Sequence, residues 1–110
     1  MKRIAMSPAA SGLFRALLKR GNASRDRILL TEYRSIDWQS LTFLGERHRL
    51  GLRLIGPDAA AVACRMTDGI EDAEFTIHNH IVADISLAAP VQSSDDGSVT
   101  IELEALTIAE

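Results

Sequence analysis

The stretch Glu74-Phe75-Thr76-Ile77-His78-Asn79-His80-Ile81-Val82-Ala83-Asp84-Ile85-Ser86-Leu87 puts Phe75, Ile77, Ile81, Ala83, Ile85 and Leu87 on odd positions. Glu74, Thr76, His78, His80, Asp84 and Ser86 fall on even ones. A period of two is that of a half-buried strand. Asn79 interrupts the odd face and marks a bulge or bend. After the turn Ser93-Ser94-Asp95-Asp96-Gly97, Val99-Thr100-Ile101-Glu102-Leu103-Glu104-Ala105 alternates again, and Leu106-Thr107-Ile108 closes the chain. These two segments are expected to pair antiparallel. Matching their apolar faces pairs odd with odd positions and sets Asp84 and Ser86 near Glu104 and Glu102.

Upstream, Ser40–Leu44 and His48–Ile55 flank Gly45-Glu46-Arg47, which reads as a short hairpin loop. In the second of these strands Leu50, Leu52 and Leu54 point one way, and Arg49 and Arg53 the other. Ile28-Leu29-Leu30-Thr31-Glu32-Tyr33 is rich in strand formers. Ser7-Pro8 begins a helix over residues 8–20, with Leu13, Phe14, Leu17 and Leu18 at helical spacing and Gly21-Asn22 as its stop. Ala59–Met66 is a second, short helix ended by Asp68-Gly69. The order α, β, ββ, α, ββ predicts one α+β domain over residues 1–110. Its expected architecture has two layers, a mainly antiparallel sheet of about five strands and two helices on one face. Residues 1–7 are expected to form a flexible N-terminus.

The composition excludes several classes. Hydrophobic content of 46% with 25% charged residues is that of an ordinary globular domain, neither disordered nor fibrous. No apolar run approaches the roughly 20 residues of a membrane span. The single Cys64 excludes an internal disulfide and suits a reducing compartment. Arg15, Lys19 and Arg20 interrupt what would be the apolar region of a signal peptide. A cytoplasmic protein is expected.

Charge is distributed unevenly. Residues 1–53 carry eleven basic and four acidic side chains, and residues 54–110 carry one basic and eleven acidic. Such a chain can neutralise itself on folding if the arginine-bearing strand adjoins the acidic one, or it can self-associate. Nucleic acid is not an expected partner. The first helix presents Arg15, Lys19 and Arg20 without aromatics among them, and the pI is about 5.6.

No catalytic signature is present. His78 and His80, at i and i+2, would share one face of a strand, where Glu74 or Asp84 could add a carboxylate to a divalent-metal site. Cys64, among Ala59, Ala60, Ala61, Val62 and Ala63, reads as a small buried hydrophobe. Trp38, the only tryptophan, reads as a core plug at the sheet edge or as an interface anchor. The even face of the last strands turns apolar at Val82, Leu106 and Ile108, and needs a cover. The expected function is a non-catalytic binding or assembly domain, acting as a homodimer, with neither catalytic nor cofactor-binding residues. The alternative is a metal-binding protein or metal-dependent enzyme using His78 and His80 with a carboxylate.

Overall fold

The computed structural model describes residues 6–110. Its elements run α1 (Pro8–Gly21), β1 (Ile28–Gln39), β2 (Leu44–Leu54), α2 (Ala59–Thr67), β3 (His80–Leu87), β4 (Gln92–Ser93) and β5 (Val99–Ala109). Single 3-10 turns lie at Arg25–Arg27 and Ile70–Asp72. All strand pairs are antiparallel in the order β1-β2-β5-β3, with β4 also paired to β5. The α+β architecture, its helix count and its strand count are those expected. Among the described residues, no helix is long and apolar enough to cross a membrane.

Local chemistry sets both helices. Ser7 Oγ accepts from the Ala10 N–H at 3.1 Å and Pro8 follows it, while Asn22 in the left-handed region closes α1. The expected flexibility of residues 1–7 falls, for 1–5, outside the described residues. Met6 packs against the core. Ala10, Leu13, Phe14 and Leu17 of α1, and Ala59, Val62, Ala63 and Met66 of α2, are buried on the helix-facing side of the sheet. All of these except Ala10 meet Leu50, Leu52 and Leu54 of β2 and Val99, Ile101, Leu103 and Ala105 of β5 in one cluster. Alternation makes the other side of these two central strands the outer face of the sheet.

The hairpin differs from its expected form. β1 and β2 are long, and the turn falls at residues 40–43 rather than at Gly45-Glu46-Arg47. Ser40 closes it: its N–H donates to Phe43 O at 2.9 Å, and its Oγ accepts from the Phe43 N–H at 3.1 Å. Gly45 is a strand residue. A Cβ there would stand 2.1 Å from Thr107 O, so the glycine permits a close strand approach rather than a turn.

β3 starts later than the alternation suggests. Asn79 has φ 62° and forms a turn that pairs Ile77 with His80, so residues 74–79 precede the strand. A second irregularity lies between Val82 and Asp84, where Ala83 is unpaired. Beyond it, Ile85 pairs with Ala105 and Ser86 with Glu104, odd with odd and even with even as expected. Before it, Ile81 pairs with Ile108, so parity is reversed.

Candidate assembly surface on the sheet

Strand register maps the outer face into cross-strand rows. The row nearest the hairpin turn is Trp38, Gly45, Ile108 and Ile81, and the next is Ile36, Arg47, Leu106 and Asp84. Then come Arg34, Arg49, Glu104 and Ser86, followed by Glu32, Gly51 and Glu102. The surface is apolar at one end and charged at the other. Ile36 and Ile81 are each 51% exposed, while Trp38, Leu106 and Ile108 are half-buried. At the adjoining turn Leu41, Phe43 and Leu44 are also exposed. Both helices pack on the opposite face, and this face keeps Ile36 and Ile81 largely exposed.

The charged rows are divided by sign. Arg34, Arg47, Arg49 and Arg53 stand on β1 and β2 with Glu32, whereas Asp84, Glu102 and Glu104 stand on β3 and β5. Arg49 joins the halves, reaching Glu32 at 3.2 Å and Glu104 at 3.0 Å. Arg53 reaches Asp96 at 2.6 Å. Ser98 donates to Asp96 from both N–H and Oγ, and these bonds hold that carboxyl below the ordinary carboxylate range, with Arg53 adding to the effect. The asymmetry of the chain is thus partly neutralised by folding. Among the described residues Arg34, Arg47, Asp84 and Glu102 make no ion pair. Arg34, Ile36, Arg47, Arg49 and Glu104 line a shallow depression of about 280 Å³.

Of the residues expected to form an interface, Leu106, Ile108 and Trp38 do share this face. Val82 does not. The bulge at Ala83 turns Val82 towards the core, opposite Thr107, and Ile81 takes its place outside. Trp38 is not a core plug: β1 extends through it and places it, half-buried, on the outer face. Cys64 is exposed rather than buried. The buried stripe of α2 runs through positions 59, 62, 63 and 66, which leaves 64 facing water.

His78, His80, Glu74 and Asp84 do not form the expected row. His78 and Glu74 precede β3, and the bulge puts His80 opposite Ala109 on the helix side but Asp84 opposite Leu106 on the outer side. His80 Nδ1–H donates to the His78 carbonyl at 2.9 Å. Among the described residues no three His, Cys, Asp or Glu side chains are placed to share a metal ion. Arg15 and Lys19 of α1 are exposed, but Arg20 is engaged with the carbonyls of Met66 and Asp68.

Sequence reasoning missed His48. It is 3% exposed on the core face, with Nδ1 2.8 Å from Ser35 Oγ and Nε2 2.8 Å from Thr107 Oγ1. Through these two contacts the buried ring ties β1, β2 and β5 together. Burial lowers its pKa, opposed by Glu46 and assisted by His80. Extending the parity of Leu50, Leu52 and Leu54 by one step would have placed it inside.

The sequence matches no protein-family model and no curated protein.

Proposed function

We propose that this protein is a non-catalytic assembly domain, working in the cytoplasm as a homodimer joined through the outer face of its sheet. The observation that carries the reading is the partly exposed apolar row Trp38, Ile108 and Ile81 with its neighbours Ile36 and Leu106. A contiguous apolar surface bordered by charge is the form of a protein interface. Antiparallel sheets with helices on one side commonly leave the other side to water, but then it is polar along its length. Here the row nearest the hairpin turn is apolar throughout.

The test is molar mass by light scattering on a sizing column at low and high salt. A dimer at both is expected, because apolar burial is not screened. Ile108→Lys, which adds a charge on the outer face without touching the core, is expected to give a monomer with an unchanged circular dichroism spectrum. A wild-type monomer at every concentration would refute the reading.

A further inference from the structure

Resting on that reading, we infer that the partner is a second copy related by a two-fold axis parallel to the strands, so that the basic half of each face lies over the acidic half of the other. Two flat arrangements bring identical sheet faces together. In one, the axis lies in the interface and runs perpendicular to the strands. It reverses the rows and stacks β1 over β1 and β2 over β2, which sets Arg47 above the partner's Arg49 and Arg49 above the partner's Arg47, and sends the apolar row over the charged one. Like-charge juxtaposition across an interface costs several kcal/mol.

In the other arrangement the axis runs along the strands, between β2 and β5, which are the central pair of the order β1-β2-β5-β3. Rotation then exchanges β1 with β3 and β2 with β5 while keeping each row at its own level. The apolar row meets the apolar row: Trp38 faces the partner's Ile81, and Ile108 lies over the partner's Gly45. In the next row Arg47 comes beside the partner's Asp84 as well as the partner's Arg47, in the third Arg49 faces the partner's Glu104 with Arg34 beside it, and in the fourth Glu32, already held by Arg49, comes beside the partner's Glu102. With strands about 4.8 Å apart and sheets about 10 Å apart, each pair is within reach of an arginine side chain. The natural angle of aligned sheets, about 30°, turns the rows only slightly near the axis.

Three features of the face agree with this symmetry. Arg34 and Arg47 have no acidic partner among the described residues. Asp84 has no basic one. The two unpaired sets lie on opposite sides of the axis. The area reaches the threshold: four strands and four rows span at most about 19 Å by 27 Å on each copy, on the order of 1,000 Å² for the pair, the minimum for a specific interface.

Charge exchange tests the arrangement separately from the assembly. Arg47→Glu alone sets two carboxylate pairs against each other in the homodimer, and Asp84→Arg alone sets two guanidinium pairs. Each is expected to raise the dimer dissociation constant about tenfold or more. An equimolar mixture of the two variants restores both opposite-charge contacts and is expected to dimerise like wild type, as is the double variant R47E/D84R. Circular dichroism and melting temperature of each variant identify any that fails to fold, in which case Arg47→Gln and Asp84→Asn, which remove the charges without reversing them and are each expected to weaken the dimer, replace it. Wild-type protein that never dimerises would refute the assembly reading itself. Wild-type dimers with single variants that associate as tightly, or a mixture that stays monomeric, would overturn the two-fold arrangement alone.

Discussion

Arg34 stands directly opposite Arg49 on neighbouring strands, and Glu104 holds the Arg49 guanidinium at 3.0 Å from the far side. Like charges in register repel, so the sheet tolerates this pair because Glu32 and Glu104 flank it. Glu104→Gln is therefore expected to destabilise the fold by about 0.5 kcal/mol, a value set by the exposure of these side chains. The loss is expected to shrink in molar salt, as the Debye length falls to about 3 Å. Urea denaturation at two ionic strengths measures both. A salt-independent loss would show that Glu104 acts by packing instead.

His48 predicts how stability depends on pH. Its pKa is lowered in the folded state by burial, so the unfolded chain binds the proton more readily than the folded one. The stability associated with the neutral ring is fully present above its ordinary pKa of about 6.5 and falls as pH drops from there towards the lowered folded value. Denaturation midpoints at pH 7.5, 6.5 and 5.5 are expected to decline in that order. His48→Gln, which keeps a donor and an acceptor but no titratable ring, is expected to flatten this part of the curve.

Where the reading from sequence held and where it failed follows from the range of the forces involved. The caps of α1, the alternation Leu50-Leu52-Leu54 and that of Val99 to Ala105 are local, and each placed its element correctly. Gly45 misled because a glycine signals either a turn or a close approach, and only the carbonyl of Thr107 on another strand decides between them. The single unpaired residue Ala83 moved Val82 inside and Ile81 outside, exchanging one interface residue and parting His80 from Asp84. The assembly face was visible only in outline for that reason: Leu106 and Ile108 followed from parity, but their neighbours depended on strand order and register.

Gly45 also carries a prediction of its own. Gly45→Ala adds a methyl group aimed at backbone, which cannot rotate away, so β2 and β5 must separate locally. A destabilisation of about 2 kcal/mol is expected. Gly69→Ala is the contrast, since nothing lies within 4 Å of its Cβ position and only its φ of 63° opposes the side chain, at about 1 kcal/mol. Thermal melts of the two variants side by side would distinguish steric from conformational cost.

Trp38 lets the association be followed without a label. It is the only tryptophan, it is half-buried on the outer face, and in the proposed dimer it lies against the partner's Ile81. Its emission is therefore expected to move to longer wavelength, and its quenching by acrylamide to rise, as the protein is diluted through the dimer dissociation constant. Ile108→Lys is expected to show the diluted spectrum at every concentration, because it breaks the same apolar row while the core stays intact. An emission spectrum that is unchanged by dilution in a sample whose mass halves would mean that the dimer forms through another surface. The apolar row on this sheet would then have some other occupant.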